Sequence, residues 1–163
     1  MPKLRDTTLV FLIRRDELRH VTEICLAMKK RGFGMGRWNG VGGKVEAGET
    51  LEQAAARETK EEIGVEVSVL QKVAELTFLF PHNPDWNQVV HTYFCEAWTG
   101  VPVESEEMKP ASFKTSEIPY DLMWADDASW LPPVLAGNLV QATFTFAEGD
   151  VITHEDVKIV ESF

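Results

Sequence analysis

Cysteine is scarce in this 163-residue chain: Cys25 and Cys95 are the only two, and each sits inside an apolar run. That excludes a disulfide framework or a cysteine-rich zinc site as the organising device, and both thiols are expected to be buried and reduced. Long hydrophobic runs are also missing. No stretch approaches the ~18 apolar residues of a membrane-spanning helix, and the opening residues 1–6 lack the apolar core and cleavage site of a secretory leader. A cytoplasmic protein with no membrane partner is the expectation. Positive charge is short as well, with 16 Lys and Arg against 26 Asp and Glu and a net charge of −10. Such a balance argues against binding a nucleic acid polymer, and a polyanionic substrate would be repelled unless a metal ion intervened. There is no internal repeat, low-complexity segment or linker. The length predicts one domain spanning residues 1–163.

What the chain does have is concentrated between Gly32 and Val65. Seven of the eleven glycines fall between Gly32 and Gly48, which predicts a loop with tight turns and close backbone approaches. They do not fit the dinucleotide-binding fingerprint, because no helix follows directly and the spacing differs. Residues 50–64 then read as a helix. Thr50 and Gln53 fit a capping box, Leu51, Ala54, Ala55, Ala56 and Ile63 supply helix formers and small apolar faces, and Gly64 ends the run. At about 100° per residue, Glu58, Glu61 and Glu62 share one face as i, i+3 and i+4. Like charges so placed cost an isolated helix about 0.2–0.5 kcal/mol per pair. Taken alone they form a solvated acidic face with Arg57 and Lys60 as counter-ions. Beside a glycine-rich entry they fit a hard divalent cation, Mg²⁺ first, which takes oxygen ligands and bridges carboxylates to substrate phosphates. The basic cluster at residues 29–31, with Arg37, would then direct positive charge toward a triphosphate.

Elsewhere, residues 7–13 and 21–28 read as two strands joined by a polar loop, residues 65–80 as a strand ending at the turn 81–85, and residues 88–98 as the next strand. After a turn at 99–102 comes an acidic loop, then a short strand closing at Phe113 and a turn at 116–119. Asp126 or Asp127 can cap a short helix ending near Ala136 and Gly137. Val140, Ala142, Phe144 and Phe146 alternate with polar residues as a half-buried strand, and residues 151–160 follow as its neighbour. This irregular mixture predicts a layered α+β domain rather than a regular βαβ array.

The run Gly43, five residues, Glu49, seven residues, Arg57-Glu58-Thr59-Lys60-Glu61-Glu62-Ile63-Gly64-Val65 resembles the Nudix box. Thr59 departs from it, since the box carries an aliphatic residue there. The resemblance implies the Nudix fold, an α/β/α sandwich with a central mixed β-sheet, and Mg²⁺-dependent cleavage of a diphosphate bond, with Mn²⁺ as a substitute. It also implies roles. Glu58, Glu61, Glu62 and the Gly42 carbonyl would hold metal, joined by Glu107 from the acidic loop in preference to Glu106. Glu49 would orient Arg57, which steadies the helix. One glutamate takes the proton of the attacking water, and Glu61, Glu62 and Glu107 all remain open for this.

Outside the box, residues 28–40, residues 102–108 and Met123-Trp124-Ala125-Asp126-Asp127 with Trp130 are similar to the mammalian-type oxidised purine nucleoside triphosphatases of that family, MutT homologues that sanitise the nucleotide pool. The similarity is weakest at residues 83–88 and toward the C-terminus, and Ala125 stands where a proline is expected. The pocket it implies makes physical sense. Trp124 can stack on a purine, Phe33 and Phe78 can wall the site, and Asn39 can both donate and accept at the base edge. If Asp126 and Asp127 are partly buried they cannot both ionise, so one acid becomes a donor beside an acceptor. Such a pair can read 8-oxoguanine or 2-hydroxyadenine. Thr8 and Lys29 match further pocket positions of the family. Against this, tryptophans are more often core and an Asp pair before a helix is more often a cap. The expectation is a monomeric enzyme that converts 8-oxo-dGTP and 2-hydroxy-dATP, small nucleotide substrates, to the monophosphate and pyrophosphate. Two other assignments stand beside it. One is a Nudix diphosphatase for an alkylated purine nucleotide, a dinucleoside polyphosphate or a pterin triphosphate. The other is a non-catalytic nucleotide-binding module, disfavoured because the box glutamates are all retained.

Overall fold

The apolar run at residues 7–13 forms the middle of β1 (Arg5–Arg15), where Val10, Phe11, Leu12 and Ile13 are each at most 2% exposed. Successive strand side chains point to opposite faces, so a run buried without alternation needs cover on both sides. Phe11 and Ile13 pack with Trp130, Leu131 and Val134 of α2 (Asp127–Leu135). Val10 and Leu12 pack on the other side with Ala55 and Ile63 of α1 (Leu51–Ile63). The structure, a computed structural model describing residues 4–163, is therefore the expected helix, sheet, helix sandwich. Residues 1–3, part of the opening segment considered for a leader, lie outside the described residues.

The sheet runs β10 (Val151–Val160), β9 (Leu139–Ala147), β5 (Gln71–Leu79), β6 (Gln88–Cys95), β1, β2 (Val21–Lys29), β3 (Trp38–Asn39), and β8 (Met108–Lys114) also pairs with β2. The pairs β1 with β6 and β5 with β9 are parallel and the others antiparallel, so the sheet is mixed. Beyond Ile13 and Ile24 the strands β1 and β2 part company toward the glycine-rich segment. Into that gap comes residues 41–43, whose Val41 and Gly43 carbonyls accept from Val10 N at 2.6 Å and Thr8 N at 2.9 Å.

The expected helix boundaries hold. Thr50 Oγ1 accepts from Gln53 N at 3.1 Å, Gln53 Oε1 accepts from Thr50 N at 2.9 Å, and Gly64 closes α1 at φ 73°. At the box departure, buried Thr59 donates its hydroxyl to the Ala55 carbonyl at 2.8 Å, which satisfies it without an outside partner.

Three strand assignments change. Residues 65–80 form two strands rather than one, β4 (Glu66–Val67) and β5, and residues 88–98 divide into β6 and β7 (Trp98–Thr99). Bends at Ser68 and Glu96 let β4 and β7 pair with each other apart from the main sheet, tied by Ser68 N to Ala97 O at 3.0 Å. Within the glycine-rich loop, Trp38 and Asn39 add to the sheet against Met28 and Ala27. Cys25 is half-buried and Cys95 buried, and they are unpaired.

Candidate active site

Close backbone approach gathers the carboxylates of α1 against residues 42–43. A Cβ on Gly42 would lie 1.8 Å from the Thr8 carbonyl oxygen, and one on Gly43 would lie 2.6 Å from Glu58 Oε1. At Gly42 the obstacle is backbone, so only glycine fits there, whereas a side chain at Gly43 would displace the Glu58 carboxylate. Glu62 is buried, and its Oε2 accepts from Gly42 N at 3.1 Å. Arg57 gathers the rest. Its Nε and Nη2 grip both oxygens of Glu49 at 2.7 and 3.0 Å, its Nη1 reaches Glu58 at 3.0 Å and Glu61 at 3.3 Å, and its Nη2 also donates to the Lys44 carbonyl at 3.1 Å. Glu61 lies on the outer side of this group. Glu107, from the loop before β8, is half-exposed and faces Arg31 at 3.4 Å.

The electrostatics follow from this crowding. Burial, and then the neighbouring Glu58, push Glu62 up to about 8. Burial also raises Glu58, with Arg57 working against it, while Glu61 and Glu107 add to the rise. The hydrogen bonds from Arg57 hold Glu49 below the usual carboxylate range. Among the described residues, no three His, Cys, Asp or Glu side chains converge into a finished ligand shell. Glu58 leans on Arg57 and Glu62 on an amide, as like charges do when each has its own partner. The donor set nevertheless fits a hard divalent cation. It is all oxygen, mutually repelling, and includes a carboxylate whose ionised form is costly without a nearby positive charge.

Residues 42–43 also help to line a pocket of about 400 Å³. All eight residues expected to bind substrate line it: Thr8, Lys29, Phe33, Asn39, Phe78, Trp124, Asp126 and Asp127. Asp126 and Asp127 are 3% and 2% exposed. The indole N–H of Trp130 donates to both, at 3.0 Å to Asp126 and 3.1 Å to Asp127, and Trp124 N donates to Asp127 at 3.1 Å. Burial raises both acids, and the charge of Asp126 raises Asp127 further. The alternative of a side-chain cap is overturned. Asp126 occupies the N-cap position of α2 but makes no capping bond. The fully buried indole N–H of Trp130, one turn on, needs an acceptor and draws both carboxyls inward.

A NUDIX domain model matches residues 3–134. The chain belongs to the Nudix family. It is 43% identical over 140 residues to the oxidized purine nucleoside triphosphate hydrolase of Mus musculus, covering 86% of this chain and 89% of that one. To the protein of the same name from Danio rerio it is 44% identical over 138 residues, covering 85% and 88%. The MutT protein from Bacillus halodurans shares the fold, with a TM-score of 0.80 at 23% identity over 95% of this chain and 98% of that one.

Within this Nudix frame some basic residues sit elsewhere than expected. Lys29 lines the pocket, but Lys30 pairs with Glu104 and Arg31 with Glu106 and Glu107. Arg37 also lines the pocket, lying over the Trp124 ring at 3.9 Å and paired with Asp150 at 3.0 Å. Asn39 Oδ1 accepts from Gly40 N at 2.8 Å, which leaves its NH₂ and one lone pair for a ligand. Sequence reasoning did not place Phe80, Phe146, Gln88 or Leu9 in the wall. Alternation marks Phe146 as inward-facing, but only the sheet order brings it beside Phe78 and Phe80.

Proposed function

We propose that this Nudix hydrolase converts oxidised purine nucleoside triphosphates, 8-oxo-dGTP and 2-hydroxy-dATP, to the monophosphate and pyrophosphate, as one catalytic domain working in the cytoplasm as a monomer. The buried Asp126 and Asp127 pair, on the wall of an aromatic pocket that shares residues 42–43 with the Nudix carboxylates, supports this substrate class. One acid of such a pair keeps its proton, so a donor and an acceptor stand side by side to meet an oxidised purine edge, and a proton moving between them serves both bases. Phe78 and Trp124 supply aromatic surface for stacking. The names of the mouse and zebrafish relatives give the same substrate class, oxidized purine nucleoside triphosphates.

Nudix hydrolases generally use divalent metal ions. Here we assign Mg²⁺, with Mn²⁺ as a substitute, to Glu58, Glu61, Glu62, Glu107 and the Gly42 carbonyl. When bound, the cation neutralises phosphate charge and makes water more acidic. Arg57, fixed by Glu49, holds Glu58 and Glu61 in place. Water attacks phosphorus, the bond to the departing pyrophosphate breaks, and a glutamate among Glu61, Glu62 and Glu107 accepts the water's proton. Turnover of 8-oxo-dGTP by Trp124→Ala and Asp126→Asn tests the pocket. Both are expected to lower kcat/KM at least about tenfold. Unchanged turnover would shift the assignment to an alkylated purine nucleotide, a dinucleoside polyphosphate or a pterin triphosphate.

A further inference from the structure

The segment between β5 and β6 contains a short 3-10 turn, Pro84–Trp86, that the pocket chemistry above leaves unused. It is firmly built. Trp86 N donates to the Asn83 carbonyl at 3.0 Å, buried Asn87 accepts from Phe80 N at 2.7 Å through its side chain, and Asn87 N donates to the Pro84 carbonyl at 3.1 Å. The indole of Trp86 stands edge-on to Phe80 at 5.7 Å and to His82 at 5.7 Å. Its remaining aromatic neighbour is Phe33, at 5.9 Å. Phe33 belongs to the glycine loop opposite, between Gly32 and Gly34, both at positive φ, and it stacks on Trp124 at 5.2 Å. It is 65% exposed while lining the pocket, so its ring lies at the mouth with Trp124 on one side and Trp86 on the other.

We propose that Trp86 is a positioning residue for the purine pocket: a fixed post that holds Phe33 across the mouth, so that Phe33 closes over the bound base. This inference rests on the proposed nucleotide-binding function. Trp86 itself is not part of the pocket wall and acts through Phe33. An aromatic pair of this kind corresponds to about a three- to tenfold change in binding. The effect should follow the base and spare the phosphates, because Phe33 lines the pocket while Glu58, Glu61, Glu62 and Glu107 do not.

Calorimetric binding of 8-oxo-dGMP and of pyrophosphate to wild type, Trp86→Ala and Trp86→Phe tests it directly, with Mg²⁺ present and thermal unfolding as the check on folding. The expected result is a Kd for 8-oxo-dGMP about three- to tenfold higher in Trp86→Ala, largely restored in Trp86→Phe, and a pyrophosphate Kd unchanged in both. In steady state KM for 8-oxo-dGTP should rise by the same factor with kcat within about twofold. An unchanged Kd for 8-oxo-dGMP, equal weakening of pyrophosphate, or no binding of 8-oxo-dGMP by the wild type would overturn the inference. A wild type that binds 8-oxo-dGMP in this Trp86-dependent way yet hydrolyses no triphosphate would uphold it and overturn the proposed function instead.

Discussion

Replacing Trp130 by phenylalanine removes one N–H and part of one ring from a fully buried site, and the structure gives each loss a magnitude. The N–H is shared between two buried acids, at 3.0 and 3.1 Å. Loss of a hydrogen bond to such groups costs about 1.5–3 kcal/mol when the acceptors stay buried. The missing ring atoms add about 1 kcal/mol of cavity. Together these lower stability by about 2.5–4 kcal/mol, which for a chain of this length moves Tm down by roughly 5–16 °C. The freed carboxyls also lose their common orientation, so kcat/KM for 8-oxo-dGTP should fall at least about tenfold. Trp124→Phe is the control, since Trp124 is only partly buried and its ring makes no hydrogen bond to the pair; its Tm should drop by less than about a third as much. Calorimetric unfolding and steady-state kinetics read both variants. A Tm loss below about 2 °C in Trp130→Phe, or a loss matched by the control, would refute the idea that Trp130 organises the acid pair.

Other perturbations have equally definite outcomes. Arg57→Lys offers a compact ammonium that cannot grip both oxygens of Glu49 and reach Glu58, so kcat should fall about 10- to 100-fold with the circular dichroism spectrum unchanged. Gly43→Ala drives a methyl into the Glu58 carboxylate and should weaken apparent Mg²⁺ affinity in a metal titration of activity, whereas Gly42→Ala meets the Thr8 backbone and should fail to reach wild-type stability. Asp126 and Asp127 have pKa values raised on folding, so the stability they contribute is complete below their ordinary value of 3.8 and is lost as pH rises through the raised values. The Tm of Asp126→Asn minus that of wild type should therefore grow more positive from about pH 5 to about pH 8, and a flat difference would count against the raised pair.

Much of this was legible in the residues because local rules and global packing agree in α1. Thr50, Gln53 and Gly64 mark its ends, and the spacing of Glu58, Glu61 and Glu62 places them together before any tertiary contact is known. The apolar run at residues 7–13 likewise reads as a strand, and only the structure shows it covered on both faces by α1 and α2. The bends at Ser68 and Glu96 were not legible, because β-forming residues run through them and only the pairing of β4 with β7 decides where the strands divide. Nor were the partners of the basic cluster. Whether Arg37 meets phosphate, Trp124 or Asp150 depends on the β9 to β10 turn, more than a hundred residues away in the chain. The acid pair shows both limits at once: sequence offered a cap or a base reader, and the buried indole of Trp130 is what turns the carboxyls from the helix end.

Pyrophosphate release with Mg²⁺ from 8-oxo-dGTP, 2-hydroxy-dATP, O6-methyl-dGTP, dGTP and dinucleoside polyphosphates, compared as kcat/KM, bears most directly on what this Nudix enzyme does. Oxidised purine triphosphates should exceed dGTP by at least about tenfold, as expected when a buried acid pair meets a matching base edge. Equal rates for dGTP, or faster turnover of an alkylated or dinucleoside substrate, would contradict the assigned pocket, and no release from any of them would contradict catalysis itself.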